Sequence, residues 1–190
     1  MKIIPIFADE DCLLSAHFEN ETSDEFERLF DNWVNIEYLF QFFKINKTDL
    51  QRPFWKGMTI EQAVLETRNE ASELRNLFIE ISKKHKNERI RTFKRLFRPL
   101  TDTSESNDNI QRKKVYGNRK PSWLRLYALR VGDDMFIITG GAIKLTDNME
   151  ERPHTQKELR KIESCKQYLK DKGIIDTDGM TELLEIKDYE

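Results

Sequence analysis

Cysteine, glycine and proline are scarce in this sequence. Among its 190 residues there are 2 cysteines, 7 glycines and 5 prolines. Two cysteines do not make a disulfide framework, so Cys12 and Cys165 are predicted to be buried thiols, with a single bridge between them as the alternative. The low glycine and proline content excludes a collagen-like or low-complexity chain.

Long apolar runs are absent as well. No segment approaches the roughly 18 apolar residues that a membrane-spanning helix needs. The apolar residues 3–7 are too few for a secretory signal, and Asp9-Glu10-Asp11 follows them directly. We therefore expect a cytoplasmic protein without membrane contact. An apolar fraction of 38%, which includes 12 Phe, 5 Tyr and 3 Trp, is sufficient for the core of one domain with an extension.

Motifs for several common chemistries are missing. The sequence contains no G-x-x-x-x-G-K-[ST] loop, no G-x-G-x-x-G fingerprint and no G-x-S-x-G elbow. The three histidines, His17, His85 and His154, are far apart, and the cysteines and histidines have no zinc-ligand spacing. The sequence therefore predicts neither a cofactor nor a metal site.

Charge is unevenly distributed along the chain, although the net charge is only −2. Residues 1–81 carry a net charge of −8 and residues 131–190 one of −5, whereas residues 82–130 carry +11. A basic segment of this size is typical of a surface that binds phosphates or an acidic partner. The alternative is a solvated helix face followed by a basic loop.

Two hairpins are predicted from short β-rich runs. Residues 3–7 and 12–18 form the first, in which Pro5 favours an edge strand because proline cannot donate a ladder hydrogen bond. Residues 122–131 and 135–145 form the second, joined across Gly132-Asp133-Asp134. Within its second strand, Gly140-Gly141 indicates a bulge, a bend or the close approach of another backbone.

Four helices are predicted from apolar periodicity, and three of them begin with a capping-box spacing of threonine and Glu or Gln. The boxes are Thr22 with Glu25, Thr59 with Gln62, and Thr155 with Glu158. The first helix carries one apolar stripe of Phe26, Phe30, Trp33, Ile36, Phe40 and Phe43.

The remaining helix lies near residues 87–96, and Gly173 is predicted to follow the last helix as its C′ residue. Residues 101–108 have no apolar member and are predicted to be a mobile loop. A basic segment from 112 to 120 follows them. Residues 174–190 are predicted to be an acidic, weakly ordered tail.

Cations at fixed strand positions are the main candidates for chemistry. Alternation along residues 123–130 places Trp123, Arg125 and Tyr127 on one face of the sheet. An arginine and a tyrosine that project together can hold phosphate and stack a base, whereas the simpler interpretation is an amphipathic surface strand. Arg152 and His154 precede the last helix, whose free amide groups favour an anion; His154 is equally consistent with a surface histidine.

Residues 60–172 resemble the HigB branch of the RelE/ParE-type toxins of bacterial toxin–antitoxin pairs. The resemblance is carried by Leu124-Arg125-Leu126-Tyr127, by residues 136–146 (Phe-Ile-Ile-Thr-Gly-Gly-Ala-Ile-Lys-Leu-Thr), and by the helix start Thr155-Gln156-Lys157-Glu158-Leu159. It implies an α+β fold with helices on one face of a small antiparallel sheet. Residues 1–58 would then form an N-terminal hairpin and helix extension, residues 59–173 the RelE/HigB-like domain, and residues 174–190 the tail.

The resemblance implies metal-independent cleavage of mRNA on the ribosome and neutralisation by a helix-turn-helix antitoxin. The ribose 2′-OH attacks the adjacent phosphate, so the protein must supply a base, an acid and cations. By position, Arg125 would hold phosphate, Lys144 would stabilise the transition state or assist proton transfer, and Tyr127 would orient or stack a base. His154 is added as a catalytic candidate because its titration range suits acid–base work. Further substrate-binding candidates are Arg119, Lys120, Arg130 and Arg152.

Two other functions remain open at this point. Leu145 occupies the position at which the family has a second lysine, which is consistent with a non-catalytic RelE-fold protein that binds nucleic acid or a helix-turn-helix partner. The acidic N-terminal half is also consistent with an interaction protein carried by a phage or mobile element.

Overall fold

A computed structural model describes residues 1–7, 12–100 and 109–187 of the chain. In these residues one six-stranded sheet has the order β1-β2-β6-β5-β4-β3. The strands are β1 (Lys2–Pro5), β2 (Leu13–His17), β3 (Arg98–Pro99), β4 (Ile110–Tyr116), β5 (Leu124–Val131) and β6 (Met135–Ile143).

Seven α-helices accompany the sheet in the described residues. They are α1 (Glu25–Val34), α2 (Ile36–Ile45), α3 (Lys47–Leu50), α4 (Ile60–Ser82), α5 (Lys86–Leu96), α6 (Pro153–Asp171) and α7 (Thr177–Lys187). Short 3-10 turns lie at Pro53–Trp55 and Met149–Glu151.

The predicted α+β class is confirmed, and the sheet is more extensive than the resemblance implied. β2 pairs in parallel with β6, whereas the other neighbouring strands are antiparallel, so the sheet is mixed. Helices lie on both faces rather than on one. The physical reason is the central strand β6, in which all nine residues are buried, so both faces need an apolar cover.

Two apolar layers separate the helices from the sheet. The first packs α1, α2, α4 and α5 against side chains such as Leu124, Leu126 and Phe136. The second packs α6 and α7 against Leu129, Val131 and other residues of the opposite face. Cys12 and Cys165 are buried in these layers and are not joined by a disulfide, and burial raises the pKa of Cys165 to about 12.

Both predicted hairpins are present. β1 pairs with β2, and Pro5 lies in the edge strand as expected. The tip of this hairpin, residues 8–11, and the predicted loop at 101–108 lie outside the described residues. β5 pairs with β6 across the predicted turn, with a bulge where Tyr127 faces Gly140 and Ala128 faces Ile138.

Gly140 and Gly141 lie where a carboxylate approaches the backbone. The Glu158 side chain accepts a hydrogen bond of 2.9 Å from Gly141 N, and a Cβ on Gly140 would lie 1.9 Å from Glu158 Oε2. The predicted bulge is confirmed, and the group that approaches Gly140 is a carboxylate side chain rather than a backbone. β2 stops pairing at Ser15, opposite Ile138, so Glu158 satisfies a backbone donor of β6 beyond that point.

The approaching carboxylate belongs to a buried charged cluster that joins α1 to α6. Lys161 Nζ lies 2.8 Å from Glu25 Oε2 and 3.1 Å from Glu158 Oε1. Arg28 Nη2 lies 2.6 Å from the same Glu25 oxygen. Glu25 and Lys161 are both buried, and burial raises the pKa of Glu158.

The first predicted helix is two helices. Asn35 ends α1 and caps α2, because its side chain accepts a hydrogen bond from Tyr38 N. The turn at Asn35 rotates the apolar stripe, so Ile36 and Phe40 are exposed, contrary to the prediction. The N-cap of α1 is Asp24, which accepts hydrogen bonds from two backbone amides, so the predicted Thr22–Glu25 capping box is wrong.

The other two capping boxes have opposite outcomes. Thr59 and Gln62 cap α4 reciprocally, as predicted. α6 instead begins at Pro153 with Arg152 as N-cap, and Thr155 donates to backbone carbonyls of Met149 and Arg152, so the third box is wrong. Pro153 begins the helix earlier because its missing N–H is not needed in the first turn.

Three further segments differ from the sequence-based expectations. The strand β4, residues 110–116, includes the first part of the predicted basic segment. Gly173 follows α6 as predicted, but the tail then forms α7, held by the buried residues Ile174 and Met180. Trp123 precedes β5 and therefore does not follow its alternation. It packs in the first apolar layer and donates to Thr67 Oγ1 at 2.9 Å, on the opposite side from Arg125 and Tyr127.

Candidate functional site

A cleft of about 600 Å³ lies at one end of the sheet. The end of β4, the start of β5 and the residue after β6 form its floor, through Tyr116, Arg125 and Lys144. Its walls are the end of α5, the segment 117–122 that joins β4 to β5, the segment 144–147, and the 3-10 turn Pro53–Trp55.

The lining of this cleft is strongly cationic. Among the described residues it contains seven arginine and lysine side chains and one carboxylate, Asp147. The cationic residues are Arg52, Arg95, Arg98, Arg119, Lys120, Arg125 and Lys144.

Only two of these cations are paired with a carboxylate in the described part of the chain. Arg52 lies 3.3 Å from Asp49, and Arg119 is paired with Glu66. The other five form no salt bridge with a carboxylate there, so the positive charges of the cleft outnumber the negative ones. An anionic ligand is the natural counterpart of such a site.

Tyr116 lies at the centre of the cationic floor. The Arg125 guanidinium carbon is 4.1 Å from its ring centre, Lys114 Nζ is 5.4 Å away, and the Arg98 guanidinium carbon is 5.9 Å away. Strand register explains the grouping, because Tyr116 faces Arg125 and Lys114 faces Arg98. The ring holds three cations together that would otherwise repel one another.

The Arg125 side chain is held in place by backbone carbonyl groups. Its Nη1 donates hydrogen bonds of 2.8 Å to the carbonyl oxygens of Ser122 and Leu124. Burial lowers the pKa of this guanidinium, yet arginine stays charged at any physiological pH. Arg125 is therefore a permanent, pre-positioned cation that can donate to a phosphate with its other nitrogens.

Lys144 is placed by the strand pair that ends at the cleft. Its backbone N donates to Trp123 O at 2.8 Å, and its Nζ donates to Asp147 O. Burial, with further contributions from Arg125 and Lys114, lowers the pKa of its ammonium group. A lysine with a lowered pKa exchanges its proton more readily near neutral pH than an ordinary lysine does.

The segment 117–122 is anchored by a buried carboxylate. Glu70 of α4 accepts a hydrogen bond of 3.1 Å from Arg119 N, and burial raises the pKa of its carboxyl group. Gly117 is required at this point because a Cβ there would lie 2.1 Å from Glu70 Oε1. The anchor holds Arg119 and Lys120 at the rim of the cleft.

Four of the eight residues proposed from the sequence meet in this cleft. Arg125 and Lys144 lie on its floor, and Arg119 and Lys120 lie on its wall. The other four are placed elsewhere. Tyr127 is 1% exposed beneath α6, and Arg130 faces Phe136 toward the opposite end of β5.

Arg152 and His154 have local partners of their own. Arg152 makes two hydrogen bonds, of 2.7 and 2.6 Å, to the carboxylate of Asp49. His154 donates from Nε2 to Ile143 O at 3.0 Å and packs edge-to-face against Phe42, and burial lowers its pKa. Neither residue lines the cleft.

Sequence reasoning missed Tyr116, Arg98, Arg95, Arg52 and Phe54 as parts of the site. The missed signal was the alternation of Arg112, Lys114 and Tyr116, which identifies a strand with three long polar side chains on one face. Arg52 and Phe54 had no such signal, since only tertiary packing brings their turn to the cleft.

No group of three metal-ligating side chains is present in residues 1–7, 12–100 and 109–187. Within the same ranges no helix combines the length and apolarity needed to cross a bilayer. The chain matches no protein-family model, no curated protein and no solved structure.

Proposed function

We propose that this protein binds RNA in the cationic cleft and cleaves it without a metal ion, as the RelE/HigB resemblance implies. In that function its substrate is mRNA on the ribosome and its natural inhibitor is a helix-turn-helix antitoxin. The observation that carries the proposal is the set of five cations in the cleft lining that form no salt bridge within the described residues, two of which, Arg98 and Arg125, lie against the Tyr116 ring.

Phosphate binding follows from the arrangement of these cations. Arg98 and Arg125 meet at the Tyr116 ring on the floor of the cleft, and Lys120 lies on its wall, so the cleft offers cations at more than one place. A polyanion that crosses them releases condensed counterions, which makes affinity depend steeply on salt. A small anion engages fewer of these cations and gains less.

Cleavage requires that the ribose 2′-oxygen form a bond to the adjacent phosphorus while the 5′-oxygen of the next nucleotide leaves. Arg125 is placed to neutralise the charge that grows on the phosphoryl oxygens. Lys144, with its lowered pKa, is placed to stabilise that charge and to give a proton to the leaving 5′-oxygen. The 2′-OH proton passes to a base or to water.

A second candidate function is RNA binding without cleavage. It is favoured by one observation: the described lining of the cleft contains no histidine, and its single carboxylate is Asp147. A site without a strong general base holds a phosphate backbone but cleaves it slowly. The two candidates share the same ligand and differ in the product.

The test is a cleavage assay with end-labelled single-stranded RNA in the presence of EDTA. Wild-type protein is compared with Lys144→Ala and with Lys170→Ala, which removes an exposed lysine from the last turn of α6. We expect fragments from wild type and Lys170→Ala and none from Lys144→Ala. Binding with intact RNA in all three favours the second candidate. Absence of RNA binding by wild type refutes both.

A further inference from the structure

The N-terminal extension supplies one wall of the cleft. Arg52, Phe54 and Trp55 all line it, although they lie outside residues 60–172, over which the resemblance extends. Phe54 is 64% exposed, whereas the aromatic residues around it are buried. The Phe54 ring is not part of the apolar core, so it is available to a ligand.

The turn that carries Phe54 is held firmly. Trp55 is only 6% exposed, and its Nε1 donates to Leu145 O at 3.0 Å. The Trp55 ring also packs against Trp123 with a centroid distance of 5.1 Å. The Phe54 and Trp55 rings are nearly perpendicular, with centroids 4.6 Å apart, and Phe54 stays largely exposed in this contact.

This anchoring places an aromatic ring beside the cationic floor. Leu145, the hydrogen-bond partner of Trp55, directly follows Lys144. A phosphate on Arg125 and Lys144 therefore has an exposed ring next to it, at the side of the cleft. The combination of a cationic groove and an aromatic platform is how proteins hold single-stranded nucleic acids, since every base has a face that can stack.

We infer that Phe54 is a stacking platform for an unpaired nucleobase, so that the extension selects single-stranded over double-stranded nucleic acid. The inference rests on the proposed binding of RNA in the cleft. In a duplex the base faces are covered by their neighbours, so only the phosphates reach the site. The platform therefore adds affinity for a single strand and none for a duplex.

The experiment measures affinity by fluorescence anisotropy at fixed salt with three labelled probes. They are a 2′-O-methyl single strand, which cannot be cleaved through its 2′-oxygen, the corresponding 2′-O-methyl duplex, and a tetrahydrofuran abasic oligomer of the same length. The variants are Phe54→Ala, Phe54→Trp and Tyr38→Ala. Tyr38 is a partly exposed aromatic residue on α2 that does not line the cleft.

Phe54→Ala is expected to weaken single-strand binding by about 5- to 150-fold, the contribution of one stacked base. Its affinity for the duplex and for the abasic oligomer should equal that of wild type. Phe54→Trp should retain single-strand binding, and Tyr38→Ala should bind all three probes like wild type.

Two results overturn the inference while leaving the proposed function intact. One is unchanged single-strand binding by Phe54→Ala, and the other is an equal loss of affinity for all three probes. Failure of wild-type protein to bind any probe refutes the proposed function together with the inference. Each outcome therefore identifies which of the two statements is wrong.

Discussion

The Arg125 guanidinium carbon lies 4.1 Å from the centre of the Tyr116 ring, at facing positions of β4 and β5. This contact aligns a permanent cation with the floor of the cleft and shields it partly from water. The Arg125 side chain is also tied to two backbone carbonyls, so it need not reorganise when an anion arrives. Pre-organisation of this kind lowers the entropic cost of binding.

Replacement of Arg125 by alanine is expected to weaken RNA binding about tenfold and to reduce the slope of log affinity against log salt by about 1. The slope changes because one phosphate contact is lost. Titration of RNA at several salt concentrations measures both quantities. Arg160→Ala, an exposed arginine of α6 outside the cleft, is the control and should keep the wild-type slope. An unchanged slope in Arg125→Ala would place the phosphates elsewhere.

Replacement of Lys144 by alanine should remove both RNA cleavage and growth arrest on induced expression, at matched soluble levels. The lysine is half-buried at the edge of the fold, so thermal stability should stay near that of wild type. Lys170→Ala should arrest growth like wild type. A stable Lys144→Ala protein that still arrests growth would refute the assignment of the site.

The pH dependence of cleavage gives an independent check on Lys144. Its pKa is lowered from 10.5, the ordinary lysine value, because burial and neighbouring cations disfavour its charged form. If the ammonium form of Lys144 donates the proton, the cleavage rate falls as pH rises through this lowered pKa. The fall in rate therefore occurs below pH 10.5. A rate that is flat to that pH would argue against a proton from Lys144.

Removal of the positive charge in the cluster between α1 and α6 should destabilise the fold. Lys161→Ala leaves Glu158 buried without its paired cation and Glu25 with Arg28 alone, which costs about 3–5 kcal/mol. The loss should be smaller at pH 5 than at pH 7, because burial raises the pKa of Glu158 and protonation relieves this carboxylate of its unpaired charge. Urea denaturation at both pH values measures it. Lys157→Ala, exposed on the same helix, should change stability by less than about 0.5 kcal/mol.

A methyl group at Gly117 should disturb the cleft wall. Its Cβ would collide with Glu70 Oε1, which must then release its hydrogen bond to Arg119 N. We expect Gly117→Ala to lose about 1–3 kcal/mol of stability and to bind RNA less tightly. Gly179→Ala in α7, where a Cβ finds ordinary contacts, should be neutral or stabilising by up to about 1 kcal/mol. Calorimetry and anisotropy check both variants.

Local patterns predicted the parts of the fold that depend on neighbouring residues. The hairpin of β5 and β6 followed from two β-rich runs and a tight turn, and the glycine pair indicated the bulge opposite Tyr127. The single apolar stripe failed at Asn35, because one capping side chain was enough to divide it into two helices.

The candidate site was predictable only in part. Arg125 and Lys144 could be found because strand ends bring them together. β4 was missed since Lys113, Lys114 and their neighbours have charged side chains on both faces, so apolar alternation is weak. Tyr127 was assigned to ligand binding because strand alternation cannot reveal that α6 and α7 cover this face of β5.

The parallel pairing of β2 with β6 also has a consequence for biosynthesis. Leu13 pairs with Phe136, so the N-terminal hairpin must wait for a strand that is translated far later. Until β6 emerges, the apolar face of α1 lacks part of the surface on which it packs. Contacts this distant in sequence slow folding and leave nascent chains exposed to aggregation. The cleft of a newly made chain therefore cannot form until the central strand β6 has left the exit tunnel.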